Sequence, residues 1–476
     1  MRQLLSYPIS RIVLAFVAGV AAVALVAVAG LEGTLVFIGA FVAVLLGAQI
    51  LRTPALGVTF ILFFLPFERL PSIDIAGITV RPNFFFGAVT LLAFAIAWVR
   101  SRRPLAPNPI RLPFYSFLAI AFLSATQAVE ERRAILTLAF ILFTASFEFL
   151  VVNAIQTASA LRRAIVVLWW SAFIVGIFGI YQFLGDIVGL PPALTGLRDL
   201  YTKEVFGFPR VQAFSIEPLY LGNYLLLPLS LLGASLLGRV RDFSRPALWF
   251  LFGLLGTIFI LTLSRGAYLA AAVAVLVLVT TKPKAAAAPR NLLAALLIGC
   301  IALAGAAAFV SQGEGDPIGE FVEHASLGDL NAGDSTQGRI GTYRLALDAW
   351  DGARFFGIGP GNFGPFAKGY PDPATVADWP IVNNEYLELL AETGALGLGA
   401  ILVLYAVVLL RSLKAYQATE DELVRAALLG GVAAFLGTLV QYNFFSSLYI
   451  IHIWVLIGFL VAAQNVAFGL GSAEER

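Results

Sequence analysis

The sequence predicts an all-α, polytopic membrane protein with about 12 to 14 transmembrane helices and one large extracytoplasmic loop containing an amphipathic helix. Three observations carry that prediction. Of 476 residues, 59% are hydrophobic and 13% charged, whereas a soluble domain carries about 25% charged residues to face water. Apolar runs long enough to cross a bilayer recur along most of the chain. The basic residues gather in every second connection between those runs, as expected when alternate short loops stay in the cytoplasm.

The runs lie at roughly 12–30, 34–51, 54–67, 83–99, 113–128, 134–152, 164–184, 218–238, 246–263, 266–281, 292–310, 386–410, 424–441 and 446–468. The 54–67 run is bracketed by Pro54 and Pro66 and is short of the roughly 20 residues of a full crossing, which suits a re-entrant or tilted segment. With the N-terminus inside, the inner connections hold 19 of the 31 basic side chains, and the C-terminus also falls in the cytoplasm. A signal peptide is the other reading of the first run, since Arg2 and Arg11 precede it and Ala27-Val28-Ala29 resembles a cleavage site. Its apolar stretch is long for such a segment, and its removal would reverse the charge pattern, so it is read as a span.

The chain divides into N-terminal transmembrane helices (1–184), central helices with an outer Arg/Glu loop (185–310), the large loop (311–385) and C-terminal helices (386–476). A net charge of +2 gives no nucleic-acid signature. One cysteine, Cys300, excludes an internal disulfide and a cysteine-based metal site. The outer segments 185–217 and 311–385 are long, and loops beyond about 12–15 residues are uncommon unless they work. Chemistry is therefore expected on the extracytoplasmic side.

Three stretches there carry charge at the membrane edge. FGFPRVQAFSIEPLYLGNYL (206–225) puts Arg210 and Glu217 just ahead of a span, with Pro218 at a first helical position. Snorkelling anchors are the plain reading of such a pair. LTLSRGAYLA (261–270) holds Arg265 between two helix ends with almost no loop, and Gly266 is expected to make the sharp turn. An Arg so near hydrocarbon needs an anion, a protein carboxylate or a lipid phosphate.

The third stretch starts with 334–364, which reads as an amphipathic helix in which Asp334 and Gln337 have capping-box spacing, Ile340, Tyr343, Leu347 and Trp350 form the apolar stripe, and Gly357 and Gly359 end it. Arg344 is four residues from Asp348 and suits an exposed ion pair, whereas Arg339 has Tyr343 at that spacing and is freer to meet an external anion. GIGPGNFG lacks the Gly-Lys-Ser/Thr ending of a P-loop and is read as a turn. In IVNNEYLELLAETGALGLGAIL (381–402), Asn383 or Asn384 caps a helix entering the membrane, Asn384, Glu388 and Glu392 recur on one face, and Gly394 and Gly397 permit close packing.

These fragments in this order resemble the O-antigen ligase and O-antigen polymerase family of bacterial inner-membrane glycosyltransferases. The carrying residues are the Arg before an EP-like segment, SRGAYLA, GRIGTYR leading to GIGPGNF, and NNEYLELLAETGALG. The resemblance implies transfer of glycan from a polyprenyl (undecaprenyl) pyrophosphate carrier to a second, lipid-linked or lipid A core sugar acceptor, on the periplasmic face, without a metal, nucleotide sugar or other cofactor. It makes Arg210, Arg265 and Arg339 a clamp for the pyrophosphate leaving group, since fixed guanidinium groups stabilise the charge that develops there. Arg344, Asn383 and Asn384 join them as substrate-binding residues.

Family ligases typically carry a His before the helix-opening Asn, where this chain has Asn383. An amide takes no proton at neutral pH, which tilts the expectation from ligase to polymerase. Glu217 is the first choice of general base, because an acid just before a span is partly desolvated. His452 is the second catalytic choice, with a hydrogen-bonded packing role as its plain alternative. Glu385 and Glu388 lie near the same surface, and His324 reads as a solvated loop residue. The competing class is a transporter of lipid-linked sugar or a small anion, but nearly all charge lies at span ends and no internal repeat is visible.

Overall fold

Prolines and charged residues punctuate the apolar runs, and the helices start and stop at them. A computed structural model describes Gly39 and residues 41–69, 73–75, 78–101, 104–202, 208–238, 240–289, 291, 334–369, 381–446, 448 and 450–470. The expected spans at 12–30 and 292–310, together with His324 and the side chain of Arg339, lie outside the described residues.

In chain order the helices are α1 (Phe41–Arg52), α2 (Pro54–Phe63), α3 (Pro82–Ser101), α4 (Arg111–Ala125), α5 (Glu131–Ala154), α6 (Ala158–Ile187), α7 (Pro218–Leu237), α8 (Arg245–Leu261), α9 (Arg265–Thr281), α10 (Asp334–Gly352), α11 (Phe363–Lys368), α12 (Glu385–Ala418), α13 (Glu422–Gln441) and α14 (Ile451–Ala467). Of these, α3, α5, α6, α7, α12 and α13 are long and apolar enough to cross a membrane. Six shorter apolar helices join them, so the chain is an all-α polytopic membrane protein. Among the described residues, the strands are a short antiparallel pair, Ile73–Ile75 with Ile78–Val80. At 10 residues, α2 is about 15 Å long and does not cross a core of about 30 Å.

Proline opens α2, α3 and α7 at positions whose amides need no helical partner. Thr157 caps α6 by accepting from the Ala160 amide at 3.2 Å, and Asp421 caps α13 by accepting from Leu423 and Val424 at 2.8 and 3.0 Å.

Apolar on every side, α14 sits in the middle, with each residue from Ile451 to Asn465 buried. It packs on α5, while α13 packs on α7 and α9, and α4 on α12. Gly430 and Gly437 let α13 approach closely, since a Cβ there would meet the Leu231 backbone at 2.8 Å and the Ala270 carbonyl at 2.7 Å. Buried polar groups are matched within the bundle: Gln464 donates to the Val408 carbonyl and Ser412 at 3.0 and 2.8 Å, and Asn108 donates to both oxygens of Glu148.

The amphipathic helix expected within 334–364 is present, but its buried face differs. Thr342, Leu345, Ala346 and Ala349 point inward, whereas Ile340 and Leu347 of the expected stripe are 42% and 43% exposed. Small Ala residues let this face lie against the start of α12, which the larger side chains would hold off. The helix ends at Gly352, earlier than Gly357.

Candidate functional site

The first outward stretch is stitched to the second. Following Tyr201, the chain returns so that the Arg210 amide donates to the Tyr201 carbonyl at 2.9 Å and the Val211 amide to the Leu261 carbonyl at 3.0 Å. Arg210 Nε then donates to the Thr262 carbonyl at 3.3 Å. Arg210 is thereby fixed three residues ahead of Arg265, although 55 residues separate the two in sequence.

The buried ring of Tyr201 lies under two guanidinium groups, with Arg198 and Arg210 at 5.7 and 5.8 Å from its centroid. Arg198 also donates to the Ile216 carbonyl at 3.4 Å, and Arg69 donates to the Gly196 carbonyl. Burial and the neighbouring Arg198 charge hold the Arg69 guanidinium below its usual pKa. The result is a concentration of positive charge beside a stack of apolar rings, including Phe67 against Phe214 at 4.5 Å. Arg69 and Arg198 were not singled out by the sequence reading, because only tertiary structure brings the loops after α2 and α6 together.

Backbone strain marks all three outward stretches. Among the described residues, the non-glycine positions with positive φ are Ala213 (45°), Leu263 (48°) and Asn383 (57°). Each lies within four residues of Glu217, Arg265 or Asn384. Such conformations cost about 1–3 kcal/mol each and gather where the surroundings enforce a particular geometry. The sharp turn before Arg265 is therefore made at Leu263, and Gly266 is not its pivot. Gly266 lies in α9, where a Cβ would press on Phe444 at 3.1 Å.

Acidic groups converge on the Tyr220 hydroxyl, whose electrostatic neighbours are Glu217, Glu68, Glu388 and Glu385. Glu217 is the residue before α7 and is half-buried. Glu68 is buried at the end of the loop after α2, and burial pushes its carboxyl above the ordinary carboxylate range despite His452 and Arg81 nearby. His452 Nε2 lies 2.9 Å from the Leu65 carbonyl and 3.7 Å from Glu68 Oε1. Its side chain is 6% exposed and borders a small space of about 10 Å³. Glu385 is engaged structurally, accepting from the Leu448 amide at 3.0 Å.

The third stretch builds a different part of the site. Asn384 caps α12, accepting from the Leu387 amide at 3.0 Å, while Asn383 takes the strained conformation beside it. Glu392 accepts from the Gly361 and Phe363 amides at 2.7 and 3.1 Å, so the GIGPGNFG turn is folded around its carboxylate. Arg133 of α5 donates from Nε to the Gly361 carbonyl, and Asn362 accepts from the Glu130 amide at 2.7 Å.

Gly394 does more than permit packing. Its φ of 67° and ψ of −175° break α12. The Ala391 and Glu392 carbonyls released by the break accept from Ile358 and Gly359 at 2.9 and 3.0 Å, while Ala395 and Leu396 donate to Arg354 and Phe355 at 2.9 and 3.3 Å. No side chain fits at Gly394, because a Cβ would run into the Phe355 carbonyl.

These elements enclose a cleft of about 610 Å³, lined by Arg133, Thr137, Phe140, Phe363, Glu388 and Glu392 among others. Arg344 is exposed on α10 and is not among the residues lining it. Glu388 and Glu392 do share a face, as the four-residue spacing predicts; Asn384 turns its side chain to capping.

Residues 250–402, about a third of the chain, match the O-antigen ligase family. The match takes in Arg265, Arg339, Arg344, Asn383 and Asn384, and leaves Arg210, Glu217 and His452 outside. No curated protein matches the chain.

Proposed function

We propose that this protein, whose residues 250–402 match the O-antigen ligase family, transfers glycan from an undecaprenyl pyrophosphate carrier to a lipid-linked sugar acceptor, as a polymerase of bacterial surface polysaccharide. The site faces the periplasm from the inner membrane, with both termini cytoplasmic. The observation that supports this reading is the tie from Arg210 to Thr262 in the turn carrying Arg265.

In the reaction, the bond between the anomeric carbon and the pyrophosphate oxygen breaks, and its electron pair stays on the lipid pyrophosphate. Arg210, Arg265 and Arg339 stabilise that developing charge without a metal, and Arg344 joins them in binding substrate. An acceptor hydroxyl forms the new glycosidic bond, and its proton passes to Glu217. Asn383 and Asn384 contact sugar hydroxyls. His452 is the reserve base, at a disadvantage because its Nε2 is engaged with Leu65.

A ligase attaching finished polymer to lipid A core is the second reading within the same chemistry, and the amide at Asn383, in place of an imidazole, favours the polymerase. Deletion of the gene followed by a gel of surface glycans separates the two. A lost ladder with one added unit retained supports the polymerase; unattached lipid-linked polymer supports the ligase; an unchanged ladder overturns both.

A further inference from the structure

Two arginines in the loops after α2 and α6, Arg69 and Arg198, belong neither to the leaving-group clamp nor to the matched residues 250–402. The chain fixes them side by side. With its amide turned so that the oxygen meets donors, the buried Gln212 accepts from Arg69 Nη2 at 2.9 Å and from the Arg198 amide at 3.2 Å. The Arg69 amide donates to the Phe214 carbonyl at 2.9 Å, and the Arg198 guanidinium to the Ile216 carbonyl at 3.4 Å. Both residues are therefore mounted on 212–216, the stretch that joins Arg210 to Glu217, and Arg198 shares the Tyr201 ring with Arg210.

Like charges held this close repel, and the Arg198 charge acts on Arg69. Among the described residues no carboxylate pairs with either guanidinium, and Asp199, next to Arg198 in sequence, is exposed. Backbone carbonyls and Gln212 take only some of the five N–H donors on each guanidinium. An anion that both can meet balances such a pair, and a phosphate does so bidentately. The cytoplasmic bias of basic residues does not account for these two, because their loops lie on the periplasmic side in the orientation proposed above.

The neighbouring side chains indicate where that phosphate comes from. Val188, Leu194 and Leu200, in the loop that carries Arg198, are 74%, 61% and 53% exposed. Large apolar side chains left uncovered beside half-buried arginines suit a segment at the headgroup level of a bilayer, with the leucines toward the acyl chains. A carboxylate on a sugar would lie further out in water, whereas a phosphate attached to a lipid lies at this depth.

We propose that Arg69 and Arg198 bind the lipid-side phosphate of the polyprenyl pyrophosphate, while Arg210 and Arg265 meet the phosphate bonded to the sugar. The assignment rests on the transferase reading above and adds two binding residues that make the site read a diphosphate from both ends.

The test uses the full chain in nanodiscs of phosphatidylcholine, with sugar-free undecaprenyl pyrophosphate and undecaprenyl monophosphate as probes. The monophosphate carries only the lipid-side group. Arg69→Ala and Arg198→Ala are expected to bind both probes about tenfold or more weakly than the wild type. Arg210→Ala should lose affinity for the pyrophosphate and keep it for the monophosphate. Arg162→Ala, which removes an exposed arginine paired with Asp242, should bind both as the wild type does. Arg198→Ala is the decisive variant, since its side chain makes one 3.4 Å hydrogen bond to the protein and its loss spares the fold. Monodisperse Arg198→Ala with wild-type affinity for the monophosphate overturns the assignment. So does phosphatidylglycerol that displaces the monophosphate from the wild type with equal affinity, which would make the pair a general site for anionic lipid. A wild type that binds both probes as expected yet transfers no glycan from intact lipid-linked donor instead overturns the transferase reading.

Discussion

Arg210 Nε donates to the carbonyl of Thr262 at 3.3 Å, so an arginine ahead of one membrane helix is held by the turn that launches another. Neither residue has freedom to leave without disturbing both segments, because the Val211 amide is bonded to the adjacent Leu261 carbonyl. Positive charge fixed in this way needs little reorganisation when a leaving group becomes anionic.

Arg210→Ala and Arg265→Ala are each expected to lower glycan transfer roughly 10²–10³-fold, the usual cost of one charge-stabilising donor, while the protein still reaches the membrane. Surface-polymer ladders and membrane fractionation check this together. A full-length ladder in Arg265→Ala removes that residue from the mechanism.

Replacing Glu217 by Gln keeps the shape and removes the proton acceptor. Turnover should fall roughly 10²-fold or more, measured with lipid-linked donor and acceptor in vesicles. Near-normal turnover would pass the role to His452 or remove the need for a protein base.

Transfer should continue when purified enzyme is treated with chelator, since the leaving group is assigned to arginines. Activity lost to chelator and restored by a divalent cation would contradict that assignment.

Gly394→Ala should destabilise the fold by roughly 1–3 kcal/mol or more, because φ of 67° is strained for Ala and the new methyl meets the Phe355 carbonyl. A lowered melting temperature in detergent is the readout. Gly399→Ala, with nothing near its Cβ position, serves as the control and should be nearly neutral or slightly stabilising.

Glu68 gives a pH prediction with a definite sign. Its folded pKa is raised by burial, so the native state holds the proton more tightly than the unfolded chain. The stabilisation from that proton is full below the unfolded carboxylate value of about 4.3 and is lost as pH rises through the folded value. Glu68→Gln, which keeps a neutral side chain at every pH, should therefore melt higher than the wild type at neutral pH. The difference should shrink as pH falls through the carboxylate range. A wild type that is more stable than Glu68→Gln at neutral pH would contradict this.

Helix positions and the Asn384 cap were legible because apolar runs, prolines and capping residues act over a few neighbours. What was not legible depends on distant partners. Tyr201 is unremarkable in sequence until Arg198 and Arg210 are seen over its ring. Tyr220 gains its interest from the charges of Glu217, Glu68, Glu388 and Glu385 that act on it. The stripe on α10 was misassigned because hydrophobic size was taken as the guide, whereas close packing at that contact selected Ala346 and Ala349. Gly266 was credited with a turn that the surroundings impose on Leu263.

The break at Gly394 divides α12 into parts with different allegiances. Residues 385–393 carry Glu388 and Glu392, and at their lower end the hydrogen bonds run sideways to residues 358 and 359 in place of continuing down the helix. This upper piece is held on two sides, by the preceding loop and, through the Glu385 amide on the Tyr442 carbonyl and the Tyr386 hydroxyl on the Leu439 carbonyl, by the bundle, whereas the lower piece belongs to the bundle alone. The GIGPGNFG turn and the carboxylate of Glu392 are thus built as one unit, and the membrane helix beyond Gly394 takes no part in its hydrogen bonding.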